Sequence, residues 1–325
     1  MADSTALSIV VPVYNGAETI GHLVNQLERL DLPGGLDIIL VNDGSSDNSR
    51  EVCEKLTGNT RVPVTLVDHT RNYGEHNALL SGLRFARGEY IITMDDDLQH
   101  PPSEVLRLYR FAREQGADIV YTHFETMHYP AWRKLGSWFA NKTADLVLDK
   151  PKGIYLSSFR CMKRFVAQEL IRYTGPFPYI DGRIFHITKN VACLKVQHLP
   201  RAANTSNYTI RRLVHLWLSI LTNFSVMPLR LGTFLGIAMT GVGFLGIVEV
   251  LVEYFLYGIE VAGWGSLMLV VLLFSGVQLI ILGLVGEYLG RVYLTVNNQP
   301  QSIIRDVIRP RGATGHLDAE SPEQV

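Results

Sequence analysis

Between Leu231 and Tyr288 the chain carries no Lys or Arg and only four acidic residues, and no other feature constrains the fold as much. A segment so poor in charge cannot supply the polar face that a soluble helical domain turns to water. Two runs within it, Leu231 to Tyr257 and Trp264 to Val285, are each long enough to cross a hydrocarbon core of about 30 Å as a helix. The second run is free of charge, whereas the first holds Glu249 and Glu253. These share one helix face and so point to a partner helix or to the outer interface. Arg211, Arg212 and Arg230 precede the first run, Arg291 and Arg305 follow the second, and the link between them carries only Glu260. By the positive-inside rule both ends face the cytoplasm.

Up to about Arg230 the sequence mixes charged and apolar residues as water-exposed domains do, and this part is long enough for one sizeable α/β domain. A formal net charge of −1 excludes a strongly basic nucleic-acid surface, so no nucleic acid is expected as a partner. Cys53, Cys161 and Cys193 show no zinc-like or disulfide-like pairing, and residues 1–6 lack the basic and apolar regions of a secretion signal. A cytosolic catalytic portion is expected.

Leu7 to Val13 and Leu36 to Val41 are short runs rich in Val and Ile, and between them Ile20, Leu23, Val24, Leu27 and Leu30 recur at helical spacing. The alternation continues with strands at Val62 to Val67, Tyr90 to Met94 and Asp118 to Tyr121, and with helices at His76 to Ala86 and Ser103 to Glu114. Strands separated by helices imply a mostly parallel, doubly covered sheet that binds ligands beyond its carboxyl ends. Pro12 to Gly16, Asn42 to Asp47 and Asp95 to Gln99 all fall at such ends. In Ile210 to Phe224, Leu213, Leu216, Trp217, Ile220 and Leu221 line one face with basic residues at the start, which predicts an amphipathic interfacial helix. The tail from Gly312 is small, polar and acidic and is expected to be disordered.

The run Tyr90 to Pro102, YIITMDDDLQHPP, takes an apolar strand directly into three aspartates. Massed carboxylates repel one another unless a cation is present, and oxygen ligands of this kind suit Mg²⁺ or Mn²⁺ with a diphosphate completing the shell. A helix cap accounts for one aspartate but not for three. Asn42 to Asp47, NDGSSD, can either cap the helix that follows or touch a nucleotide. His76 and His100 are expected to be hydrogen-bonded structural histidines.

Taken with Pro12-Val13-Tyr14-Asn15, these motifs resemble those of inverting nucleotide-sugar transferases with a Rossmann-like (GT-A) fold. The resemblance narrows to polyprenyl-phosphate glycosyltransferases, the group of dolichyl-phosphate mannose synthases, undecaprenyl-phosphate glucosyltransferases and aminoarabinose transferases. It rests on Arg71-Asn72-Tyr73-Gly74, the Asp95 to Pro102 run, Phe159-Arg160, Arg201 with Ser206 and Tyr208, Pro228-Leu229-Arg230, and Gly286-Glu287-Tyr288-Leu289-Gly290-Arg291. It implies a cytoplasmic glycosyltransferase domain over 1–208 and an interfacial helix over 209–230. Transmembrane helices over 231–257 and 264–285 and a cytoplasmic segment over 286–325 would follow, the whole sitting in the inner membrane as an oligomer for which a tetramer is the family-based expectation. The donor would be a nucleotide sugar, of UDP by similarity to the bacterial members, and the acceptor a polyprenyl phosphate such as undecaprenyl phosphate.

Carried over by position, Pro12, Tyr14, Asn15 and Asp43 hold base and ribose, Asp95 and Asp96 face the nucleotide sugar, and Asp95, Asp97 and Gln99 are the metal and diphosphate ligands. Arg133, Ser137 and Arg201 hold phosphate oxygens of the acceptor, which makes Asp97, Arg133 and Arg201 the catalytic set. Several positions depart from the family pattern: Gly16 stands in place of Glu, Phe124 falls near a common Arg, and Asn207 replaces a frequent Lys. Ahead of Phe159-Arg160, Ile154-Tyr155-Leu156-Ser157-Ser158 stands where many relatives carry an Asp proposed as a base. A phosphate monoester has its second pKa near about 6 and so arrives largely dianionic, which lets a single displacement proceed without a protein base there. A processive polysaccharide synthase would show a Gln-x-x-Arg-Trp motif and more spans, neither of which occurs here. A non-catalytic scaffold or lipid-flipping partner has no reason to keep Asp95, Asp97 and Arg201.

Overall fold

The computed structural model describes residues 5–124, 154–175, 178–197, 227–257, 263–297 and 300–310. Strands β1 (Leu7–Val13), β2 (Leu36–Asn42), β3 (Val64–His69) and β4 (Tyr90–Thr93) alternate with helices α1 (Ile20–Leu27), α2 (Ser49–Asn59) and α3 (Glu75–Leu83). Helix α4 (Pro102–Gln115), β5 (Ile119–Phe124), β6 (Arg160–Lys163), α5 (Arg164–Ile171), α6 (Ile180–Ile187) and β7 (Val191–Val196) follow. The described strands form one sheet in the order β7-β5-β6-β4-β1-β2-β3-β8, where β8 is Ile304–Ile308. β4, β1, β2 and β3 pair in parallel, as do β5 and β7, which bears out the mostly parallel sheet. Their apolar side chains are buried on both faces, as in a sheet covered by helices on either side.

Pro12 occupies a central strand without costing a ladder bond. β4 leaves the pairing at Val10↔Thr93, with Met94 N donating to Val10 O, so the side on which Pro12 lacks an N–H has no strand beside it. The chain turns to opposite sides of β1 on its way to β2 and to β4, and the loops after β1 and β4 diverge there to leave a crevice.

Three differences from the sequence reading have local causes. The expected strand from Val62 begins two residues later because Pro63 intervenes, and it runs on through Asp68 and His69, whose polar groups are buried in hydrogen bonds. β6 inserts antiparallel between β4 and β5, and β8 adds antiparallel to the edge of β3. The α/β unit therefore includes residues 300–310 as well as its N-terminal portion. Arg50 bonds Asp306 at 3.1 Å, Arg305 donates to Thr70 O at 3.1 Å, and Gln301 donates to the carbonyls of Tyr173 and Gly175.

The other unit contains two long helices, α7 (Met227–Tyr257) and α8 (Trp264–Val296). α7 starts ahead of Leu231, with Pro228 in its first turn where a missing N–H is harmless. α8 does not stop at Val285. It carries Gly286 to Arg291 as helix, where Arg291 bonds Glu287 one turn earlier at 2.7 Å. Large apolar side chains such as Phe234, Leu245, Phe255, Leu279 and Ile280 are each more than 60% exposed, an apolar surface of the kind that marks a protein or membrane interaction site. Among the described residues one stretch, Phe274–Val296, is long and apolar enough to cross a membrane by length and composition. The expected interfacial helix, 209–230, lies outside the described residues except for its last turn.

Candidate active site

The loops leaving β1 and β2 are stitched together by their own side chains. Asn15 Oδ1 accepts from Ser46 N at 2.9 Å and from Ser46 Oγ, while Asn15 N donates to Ser45 Oγ at 3.1 Å. Gly16 N donates to Ser49 Oγ, and Asp47 accepts from the amides of Ala17 and Ser49. NDGSSD thus holds the neighbouring loop, and no side-chain cap bond forms at Asn48. Asn15 adopts φ +54°, a left-handed value that Asn tolerates, and this leaves Tyr14 projecting at 53% exposure beside the crevice.

Asp43 is 3% exposed and is used to build a second loop. Its carboxylate accepts from Tyr73 N at 2.9 Å, Gly74 N at 2.8 Å and His69 Nδ1 at 2.8 Å. His69 Nε2 meets Ser81 Oγ, and Ser81 meets Ser302 Oγ, each at 2.9 Å, so the chain of contacts reaches the strand returning after α8. Bonds from backbone amides to a buried carboxylate are among the stronger kind, about 1.5–3 kcal/mol each. Asp43 fixes the Arg71-Asn72-Tyr73-Gly74 turn. Gly44, at φ +61°, lies under the same turn, where an added Cβ would come within 2.3 Å of the Arg71 carbonyl carbon.

The aspartate run sits where β4 ends. Asp97 Oδ1 accepts from Gln99 N at 3.2 Å, closing a tight turn that leaves Leu98 at φ +61°. Such backbone in a branched residue is strained and tends to persist where a site requires it. Asp95 Oδ2 accepts from Ser158 Oγ at 2.7 Å, so the segment that lacks the family's Asp supplies an anchor for the first aspartate. Asp96 turns inward. Burial, then the charges of Asp95 and Asp97, push its carboxyl up to about 7, and its buried Oδ2 has no hydrogen-bond partner. A Cβ at position 16 would come within 2.0 Å of that same oxygen, so Gly16 and the inward Asp96 require each other.

Asp95 to Gln99 provide hard oxygen donors of the type Mg²⁺ and Mn²⁺ take. Among the described residues no three His, Cys, Asp or Glu side chains converge as a closed cage. Mg²⁺ commonly binds through one or two carboxylates and completes its shell with water and phosphate, so an open arrangement fits it.

A buried charge cluster that the sequence reading did not anticipate lies behind these aspartates. Arg160, 1% exposed, forms an ion pair with Asp181 of α6, and Tyr121 Oη donates to Asp181 Oδ1 at 2.8 Å. At the start of α3, burial and then the charge of Asp95 raise the Glu75 carboxyl to about 7. His76 packs edge-on against Tyr179, with its buried Nδ1 lacking a hydrogen-bond partner among the described residues, and His100 stacks on Phe159 at 4.6 Å. The signal for the cluster was Arg160 inside an apolar strand, although its partner in α6 was not readable from spacing. The structure brings together Pro12, Tyr14, Asn15, Asp43 and Asp95 to Gln99 at one sheet edge, whereas Arg133, Ser137 and Arg201 lie outside the described residues.

A Rossmann-like sheet with an aspartate turn at its switch point describes a class of transferases, and comparison with known proteins specifies it. Residues 8–171 match the glycosyl transferase family 2 domain, and the chain belongs to that family. It is 34% identical over 311 residues to the undecaprenyl-phosphate 4-deoxy-4-formamido-L-arabinose transferase of Pseudomonas aeruginosa (strain LESB58), covering 93% of this chain and 90% of that one. The protein of the same name from Yersinia pestis (strain Pestoides F) is 31% identical over 318 residues and 97% of each chain. Among solved structures, glucosyl-3-phosphoglycerate synthase from Mycobacterium tuberculosis, in complex with Mn²⁺, UDP and glucosyl-3-phosphoglycerate, superposes with a TM-score of 0.50. That match covers 67% of this chain and 78% of the other at 15% identity, and it bears out the fold. The chain is a glycosyltransferase.

Proposed function

We propose that this glycosyltransferase moves a sugar from a nucleotide sugar, of UDP in our reading, onto the phosphate of a polyprenyl carrier such as undecaprenyl phosphate, on the cytoplasmic face of the inner membrane. The observation that carries the reading is similarity over nearly the whole length, apolar helices included, to relatives whose names specify undecaprenyl phosphate as acceptor. Tyr14 and the turn held by Asp43 are suited to the nucleotide. Asp95, Asp97 and Gln99 would hold a divalent cation, Mg²⁺ or Mn²⁺, which supplies neutralisation of the departing diphosphate. Arg133 and Arg201, with Ser137, are assigned to the acceptor phosphate because planar guanidinium groups match its oxygens in pairs.

The acceptor phosphate is a dianion at neutral pH and attacks the anomeric carbon directly, so the sugar is transferred with inversion and no protein base is needed. α7 and α8 would cross the bilayer as a hairpin with both ends cytoplasmic, which keeps the α/β unit where nucleotide sugars are made and leaves the assembly free to oligomerise, as a tetramer in the family-based reading. The test is release of nucleotide from a panel of UDP-sugars by washed membranes, with and without undecaprenyl phosphate. Acceptor-dependent turnover abolished by EDTA and by Asp97→Ala is expected. Turnover unaffected by either would remove the metal from the proposal, and a product of retained configuration would reject the single displacement.

A further inference from the structure

Strand β8 brings more polar contacts to the sheet than an edge strand needs. Its register against β3 slips by one residue, with Asp68 opposite Asp306 and His69 opposite Ile304, so Arg305 is the extra residue of a bulge. The Arg305 guanidinium donates to Thr70 O, and Thr70 N donates to Ile303 O at 3.0 Å. Thr70, the residue just ahead of the Arg71-Asn72-Tyr73-Gly74 turn, is therefore gripped through both of its backbone groups. Helix α3 begins directly after the turn, and its Ser81 meets Ser302 Oγ at 2.9 Å. Residues 302–305 thus hold the turn at both of its ends.

Ser302 also reaches the carboxylate that holds the turn from within. Ser81 Oγ lies 2.9 Å from His69 Nε2, and His69 Nδ1 lies 2.8 Å from Asp43 Oδ1, the oxygen that accepts from Tyr73 N. Asp43, His69 and Ser81 are all buried. A carboxylate already facing two amide donors takes its third from a protonated Nδ1, so Nε2 accepts from Ser81 and Ser81 accepts from Ser302. Donation then runs one way along the chain, from Ser302 to Asp43. A buried polar chain is costly unless each member is satisfied, and Ser302 closes this one. The pairing of β3 with β8 needs none of it, because the ladder bonds are made by backbone.

We propose that Ser302 is a positioning residue for the donor nucleotide: through Ser81 and His69 it fixes the Asp43 carboxylate, and with it the Tyr73-Gly74 turn. This rests on the reading above that the turn serves the nucleotide. The segment following α8 is then part of the donor site as well as a strand of the sheet.

The experiment follows hydrogen–deuterium exchange of the peptide carrying the Tyr73 and Gly74 amides, and calorimetric titration with UDP and Mn²⁺. Both use the full chain in detergent, as wild type, Ser302→Ala, Ser302→Thr and Asp306→Ala. Asp306 lies on the same strand and bonds Arg50, so its loss weakens β8 without touching the chain from Ser302 to Asp43. Loss of one neutral hydrogen bond corresponds to roughly 2- to 10-fold. Ser302→Ala is expected to speed exchange at the turn and to weaken UDP, each by about that factor, whereas Ser302→Thr keeps the hydroxyl and restores both. Asp306→Ala should lower the melting midpoint and change neither. Unchanged exchange at the turn in Ser302→Ala, no recovery in Ser302→Thr, or equal acceleration in Asp306→Ala overturns the positioning role while the donor reading stands. Faster exchange with unaltered UDP affinity separates the turn from the nucleotide and also overturns it. A wild type that does not bind UDP refutes the donor reading itself, and the role of Ser302 falls with it.

Discussion

Replacing Gly44 by Ala tests the crossing of the two loops that form the nucleotide side of the site. Position 44 has φ +61°, and a Cβ there would lie 2.3 Å from the Arg71 carbonyl carbon, 2.5 Å from Asn72 N and 2.6 Å from Arg71 Cα. All three atoms are backbone, so the clash cannot be relieved by turning a side chain. The left-handed conformation costs a non-glycine residue about 1–2 kcal/mol, and forcing an added methyl into a closed contact costs a further 1–3 kcal/mol or so. A total of about 2–5 kcal/mol in a domain of roughly this size lowers the melting midpoint by about 5–15 °C. Gly35 provides the control, because it has φ +84° with nothing within 4 Å of an added Cβ. Gly35→Ala should incur the conformational cost alone and shift the midpoint by only a few degrees. Differential scanning fluorimetry in detergent reads both, and calorimetric titration with UDP reads the function. Gly44→Ala is expected to weaken UDP as well, since the Arg71 to Gly74 turn must move, whereas Gly35→Ala leaves UDP binding intact. Equal shifts for the two variants, or an unchanged UDP affinity in Gly44→Ala, would refute the claim that the turn is held by close approach at Gly44.

Burial pushes the Asp37 carboxyl up from 3.8 to about 6, against lowering contributions from Ser8 and Arg87. The folded state then binds more protons than the unfolded one between pH 4 and 6, so stability falls as pH rises through that window and stays reduced above it. Asp37→Asn should melt higher than the wild type at pH 8, by the equivalent of about 1–3 kcal/mol, and lose that advantage at pH 4.5. Asp181→Ala leaves Arg160 buried without its ion-pair partner and should cost about 3–5 kcal/mol, while Arg160→Met combined with Asp181→Leu should recover most of the loss in the same melting assay.

The parallel half of the fold was legible because its signals are local. Val- and Ile-rich runs alternate with helical spacing, and each of β1 to β4, α1, α3 and α4 forms within a few residues of its expected bounds. β6 and β8 were not legible. β6 is four residues long and carries Arg160, while β8 is five residues long and returns to the sheet after the whole excursion through α7 and α8. Their stability comes from neighbours distant in the chain, which periodicity cannot register. The site was legible as residue types at strand ends, yet the work assigned to Asp43 and to Ser158 depends on contacts across 31 and 63 positions.

The sequence by itself determined the division into an α/β unit and apolar helices, since charge depletion over Leu231 to Tyr288 and the alternation of strand and helix patterns are properties of composition and local order. It also determined that three carboxylates meet at the end of β4. Only the tertiary structure decided what each does: Asp96 turns inward against Gly16, Asp95 is anchored by Ser158, and Asp43 builds a turn. The physical reason is that a carboxylate's role is set by the donors and charges that surround it, and in this fold those arrive from strands and helices far away in the chain.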